Sequence, residues 1–99
     1  MANARTRNGS LGAANAQSPW LSAKRGYNVQ ISGTFVGTLT LYRRGANGVQ
    51  YPVTTSAGNP VTFTGPVNYS AANPMVQGDY CLVMTSYTSG TANTIMEGW

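Results

Sequence analysis

From Gly26 onward, polar and apolar residues alternate with a period of two. Tyr27, Val29 and Ile31 are separated by Asn28, Gln30 and Ser32, and Ser32-Gly33-Thr34 supplies a turn. Phe35, Leu39 and Leu41 then share one parity while Thr38, Thr40 and Tyr42 share the other, the pattern of a strand with one buried and one solvated face. Gly37 falls on the apolar parity, where a missing side chain predicts a bulge or the close approach of another backbone. Gly45-Ala46-Asn47-Gly48 carries an Asn-Gly hairpin signal, after which Val49, Tyr51 and Val53 resume the alternation. Pro52 takes the outward parity, so that strand belongs at an edge. Val61 and Phe63 make a short strand, Gly65-Pro66 breaks it, Val67 and Tyr69 restart it, and residues 71–74 punctuate the chain again. Over residues 79–87 both parities are apolar, with Tyr80, Leu82 and Met84 on one and Cys81 and Val83 on the other, which predicts a central strand. Ser89-Gly90 turns the chain into a last strand over 91–96, where Ile95 is the apolar member of its parity.

Gly or Pro interrupts every window in which a helical period could begin. The expected fold is therefore all-β: a small antiparallel β-sandwich or jelly-roll-like barrel of about seven strands, mostly joined by hairpins. Residues 1–19 differ in character. They are mostly Ala, Asn, Ser, Gly and Gln with Arg5 and Arg7, and Leu11 is their only large aliphatic residue after Met1. Such a segment buries too little apolar surface to offset the entropy of ordering it, so it is either a disordered tail or an arm held by something outside its own domain. The chain accordingly divides into an extended N-terminal interaction arm, residues 1–20, and an antiparallel β-domain, residues 21–99. On this division, removal of residues 2–19 leaves the β-domain folded.

Composition narrows the chemistry. The 99 residues contain no His, one Cys and only two acids, Asp79 and Glu97. General acid–base catalysis near neutral pH has few candidates in such a set, and Asp79 after Gly78 reads as a solvated turn carboxylate. Cys81 lacks a neighbouring base and reads as a small core hydrophobe. Zinc and iron–sulfur sites need several Cys or His ligands, and no phosphate-cradling glycine motif is present, so no metal or cofactor is expected. One cysteine forms no intramolecular disulfide, and no apolar run reaches the ~18–20 residues that cross a bilayer. The expectation is a soluble, non-enzymatic protein that binds or builds.

Charged residues make up 8% of the chain, with a net charge of +4. The cations are spread as Arg5 and Arg7, Lys24 and Arg25, and Arg43 and Arg44, so no run of like charge marks a nucleic-acid tail. Tyr42 beside Arg43 and Arg44 could form an exposed aromatic–basic patch of the kind that stacks single-stranded bases. Tyr27, Phe35, Tyr51, Phe63 and Tyr80 lie mostly on core parities. Nucleic-acid binding by a small β-barrel is thus the alternative from a different class, tested by the loss of affinity and salt dependence in an Arg43→Ala, Arg44→Ala variant.

The run Ile31-Ser32-Gly33-Thr34-Phe35-Val36-Gly37-Thr38-Leu39-Thr40-Leu41-Tyr42-Arg43-Arg44, with its Gly/Asn turn and Tyr51-Pro52-Val53, resembles a pattern in small structural proteins of tailed bacteriophages. There, G-T-[WF]-x-G-T-[VL]-x-[LV]-x-R-S precedes a D-G-G turn and an aromatic residue. Gly78-Asp79-Tyr80-Cys81-Leu82-Val83, followed by Ser86-Tyr87-Thr88-Ser89-Gly90-Thr91-Ala92, is similar to the same proteins' closing hairpin. The likeness spans roughly residues 26–96, and the chain departs from it in having Gly-Ala-Asn-Gly for the acidic turn. What it implies is a virion component assembled in the host cytoplasm. Head decoration or cement comes first, and a head-to-tail connector or tail component is the alternative within the class. The implied partners are the major capsid protein or other virion subunits and further copies of the chain, as a trimer or dimer. Candidate interaction residues are Arg5, Arg7 and Leu11 in the arm, Trp20 and Leu21 at its root, Tyr42, Arg43 and Arg44 on the β-domain, and Trp99 as a clamp on the sheet or a subunit contact.

Overall fold

A computed structural model describes residues 5–44, 48–55, 57–72 and 78–99. Every regular element in them is a strand: β1 (Arg5–Leu11), β2 (Leu21–Ala23), β3 (Gly26–Ser32), β4 (Phe35–Arg44), β5 (Gln50–Pro52), β6 (Thr62–Phe63), β7 (Val67–Ala72), β8 (Gly78–Gly90) and β9 (Ala92–Gly98). Two antiparallel sheets face one another. The first has the order β1-β9-β3-β7, and the second has the order β2-β8-β4-β5 with β6 also paired to β4. Alternation accounts for the core between them. Tyr27, Val29 and Ile31 of β3, Leu39 and Leu41 of β4, Tyr80, Leu82 and Met84 of β8 and Met96 of β9 are all buried there.

Nine strands replace the expected seven, and the two additions, β1 and β2, come from the N-terminal region and its root. Within the N-terminal segment, residues 5–11 are a strand that pairs along the full length of β9, from Arg5 opposite Gly98 to Leu11 opposite Ala92. The hairpin turn proposed at residues 45–47, and the part of residues 71–74 beyond Ala72, lie outside the described residues, as do residues 1–4.

Connectivity corrects a second expectation. Of the successive strands, only β4 and β5 pair with each other; β6 stays in their sheet, and every other connection crosses between sheets. Gly33 and Gly90, read as hairpin turns, are corners. Their φ angles of 96° and 84° turn the chain from one sheet to the other. The two corners lie side by side, and the Thr91 amide donates to the Thr34 carbonyl at 3.0 Å. Pairing runs through them without a slip: Ser32 faces Asn93 in the first sheet and Phe35 faces Gly90 in the second. Residues 5–23 follow the same bend along β9 and then β8. The sandwich is thus a three-stranded ribbon folded across a corner, and β5, β6 and β7 complete its outer edges. The register shifts between Val36 and Gly37 and between Thr38 and Leu39, the irregularity that Gly37 predicted.

One core position is poorly satisfied. The Thr94 hydroxyl is buried and finds no hydrogen-bond partner among the described residues. Replacing a buried, unpaired hydroxyl by a methyl group removes its desolvation cost at nearly constant volume. Thr94→Val is expected to raise stability by about 1 kcal/mol, read as a higher urea midpoint at unchanged slope. A lower midpoint would mean the hydroxyl is solvated.

Candidate functional site: a basic end roofed by Trp20 and Arg44

Strand direction gathers what the sequence scatters. Arg5 opens β1, Lys24 and Arg25 join β2 to β3, Arg43 and Arg44 close β4, and all of these points fall at one end of the sandwich. Arg7 stands two residues further along β1 and points back toward this end, its Nε donating to the Trp20 carbonyl at 3.2 Å. Both acids belong to the same end, Asp79 opening β8 and Glu97 closing β9. The corners at the other end, Gly33-Thr34 and Gly90-Thr91, carry no charge. The whole net charge of +4 therefore sits at one pole. The sequence showed only three separated pairs.

On the outer face of the second sheet this pole has a defined cluster. Pairing sets Arg44 opposite Asp79 across β4 and β8, and Ser22 opposite Asp79 across β2 and β8. Arg44 Nη2 donates to Asp79 Oδ2 at 2.8 Å and Ser22 Oγ donates to Oδ1 at 2.8 Å, so both carboxylate oxygens are engaged. The Arg44 guanidinium also lies 4.4 Å from the centre of the Trp20 ring. Trp20 precedes β2 on one side of β8 and Arg44 lies on the other, so their contact spans β8. Cys81, opposite Tyr42 on this face, is fully buried beneath it. Burial pushes its thiol up to about 12, which keeps it protonated and poorly nucleophilic at neutral pH. Beside the cluster is a shallow depression of about 140 Å³ lined by Arg5, Ser22, Ala23, Lys24, Gly78 and Asp79.

Asp79 is a paired group and not the idle turn carboxylate the sequence indicated. The hydrogen bond from Arg44, then that from Ser22, holds its carboxyl below the usual carboxylate range. A depressed native value contributes stability above the unfolded carboxylate pKa of about 4, and that contribution fades as the pH falls through the native value. Both side chains keep about a third of their surface exposed, so water screens the pair. Asp79→Asn is expected to cost no more than about 1 kcal/mol at pH 7 and less at pH 3. A cost that grew on acidification would contradict the assignment.

The sequence-selected residues separate into two groups. Arg5, Arg7, Trp20, Tyr42, Arg43 and Arg44 are at the basic end, with Tyr42 and Arg43 half-buried. Leu11 and Leu21, at 2% and 0% exposure, are core residues and offer no partner surface in this fold. Tyr51 corrects in the other direction: the three-residue edge strand β5 leaves it 47% exposed, paired with Arg43. Trp99 grips the sheet through its backbone. Its carbonyl accepts from the amides of Lys24, Arg25 and Gly26, and its ring lies where a Cβ on Gly26 would stand. The ring is 40% exposed, which adds an aromatic face to the basic end. Lys24, Arg25, Ser22 and Asp79 became part of the site only through strand pairing, which residue type alone does not reveal.

Among the described residues no group of three or more His, Cys, Asp or Glu side chains converges on a common point. The cluster offers cations, ring faces and one satisfied carboxylate, an arrangement suited to holding an anionic or flat surface. No protein-family model matches the chain, and no curated protein matches it in sequence. Its two-sheet fold does occur in a protein of prophage origin. That protein is YomS of the SPBc2 prophage, whose crystal structure superposes with a TM-score of 0.65 over 98% of this chain and 96% of that chain, at 11% identity. At that identity the likeness is one of fold.

Proposed function

We propose that the protein is a non-enzymatic structural component of a tailed-phage virion, and within that class a capsid decoration or cement protein. The observation that carries this reading is the whole-length fold match to a prophage-derived protein. The sequence motifs of residues 31–44 and 78–92, similar to those of small phage structural proteins, support it. On this reading the partners are the major capsid protein and further copies of the chain, and the place of action is the virion. A domain with few charges and two exposed rings, Tyr51 and Trp99, would bind weakly as one copy, and repetition around a shell converts weak contacts into retention.

The test is co-sedimentation of the purified chain with heads lacking it, beside tails from the same phage. Saturable binding to heads is expected. Binding to tails alone would replace decoration with a tail role, and binding to neither would overturn the virion reading. The basic end favours a second reading, a single-stranded nucleic-acid binder with Trp20, Tyr42 and Tyr51 as stacking rings. That reading requires oligonucleotide retention that weakens with salt and is lost in Arg43→Ala, Arg44→Ala.

A further inference from the structure

An exposed sheet edge is a row of unpaired backbone groups, and folded proteins blunt it with charge, proline, bulges or brevity. Three of the four edges here are blunted. β1 carries Arg5 and Arg7, and the Arg7 side chain donates to the Thr6 carbonyl of the edge itself. β2 has three residues, and β5 has three and ends in Pro52. β7 differs. Its six residues, Val67-Asn68-Tyr69-Ser70-Ala71-Ala72, contain no charge and no proline, and they pair with β3 in one unbroken register.

This edge is also fastened on both faces. On the outer face, Asn28 of β3 donates to Asn68 Oδ1 and to Ser70 Oγ, each at 2.7 Å. On the inner face, the Tyr69 ring packs edge-on against Phe63 with centroids 5.4 Å apart. The sheet order ends at β7, and among the described residues no strand lies beyond it.

We propose that β7 pairs antiparallel with β7 of a second copy, joining two four-stranded sheets into one of eight across a twofold axis. The placement of charge selects this occupant and this direction. Ala72 faces Gly26 at the basic end, and Val67 faces Ile31 at the uncharged end. Antiparallel pairing sets the basic end of each copy beside the uncharged end of the other. The poles are then separated by about the length of a six-residue strand, roughly 20 Å, beyond the screening length of about 8–10 Å in ordinary buffer. Parallel pairing would place the two basic ends together. An isologous contact of this kind closes at two copies. The inference stands apart from the virion reading, since it concerns the free protein.

Sedimentation equilibrium of the full chain over a range of concentrations tests it. The expected result is a monomer–dimer equilibrium. Ser70→Lys, which puts an exposed charge on the edge, should weaken it by at least about tenfold, while Ser10→Lys on the β1 edge should leave it unchanged. Hydrogen exchange on the unmodified chain supplies an independent reading. Alternate β7 amides, those turned away from β3, should be protected at high concentration and lose protection on dilution. A monomeric mass throughout, a trimer, dissociation by Ser10→Lys and not Ser70→Lys, or β7 protection independent of concentration would each overturn the proposal. Shell binding by a strictly monomeric chain would overturn this pairing and leave the virion reading standing.

Discussion

Removing residues 2–19 will unfold the protein. Residues 5–11 supply one of the two partner strands of β9, and Leu11 is sealed in the core. Beyond them, the amides of Asn15 and Ser18 donate to the carbonyls of Met84 and Leu82, and the Met84 amide returns a bond to Ala16. Ser18 Oγ also accepts from the Leu82 amide at 2.9 Å. The deletion exposes one edge of both central strands and one flank of Met84 and Met96. Losing Leu11 alone should cost about 2–5 kcal/mol, against a total stability of about 5–15 kcal/mol for a domain of this size. Circular dichroism on heating should show no cooperative transition for the truncated chain and a lowered one for Leu11→Ala. Cooperative melting of the truncated chain would return the segment to the status of a detachable arm. A role of the N-terminal segment in the proposed shell binding is therefore better probed by point changes at exposed Arg5 or Thr6 than by deletion.

Gly90→Ala will be nearly as damaging. With φ at 84°, this residue occupies the left-handed region, which costs a side-chain-bearing residue about 1–2 kcal/mol. A Cβ there would also run into the Thr34 carbonyl oxygen and come within 2.7 Å of Phe35 Cα, both backbone atoms of the neighbouring corner. Neither can move without separating the two corners. The expected loss is at least about 3 kcal/mol, read as a fall in the urea midpoint. Gly58→Ala is the matched control. Its φ is 87° and a Cβ would meet nothing within 4 Å, so only the backbone cost of about 1–2 kcal/mol applies. Equal losses in the two variants would mean that the corners are free to part.

Much of the sheet was legible because its strands obey alternation. Residues 27–31 and 79–84 announced β3 and the central strand β8, and Pro52 announced an edge. β1 was not legible, for a physical reason. The residues on the parity of Leu11 are Arg5, Arg7 and Gly9, of which the two arginines are exposed, so Leu11 is its one buried apolar side chain. Gly9 is small because Thr94 Oγ1 and Ser18 stand where its side chain would be, so this strand is held by backbone pairing and close approach. The turn at Gly33 was legible but its destination was not, since a positive-φ glycine serves a corner and a hairpin equally. The basic end needed two further facts that composition lacks: which strand ends lie together, and the register that sets Arg44 opposite Asp79.

The folded ribbon has a consequence for the order of events during synthesis. β8 and β9, the last segments made, are central strands, each flanked on both sides by strands made earlier. β1 has no partner until β9 exists, and β2 has none until β8 does. Neither sheet can assemble progressively from the N-terminus. Folding waits for the final quarter of the chain and then draws together contacts that are far apart in sequence, which makes it slow for a protein of this length. Until then β3 has only β7, and β4 only β5 and β6, as sheet partners, and the apolar side chains of β8 and β9 are missing from between the sheets. A translation product cut before β8 would therefore lack a central strand of both sheets, and proteolytic quality control would meet it as an incomplete fold.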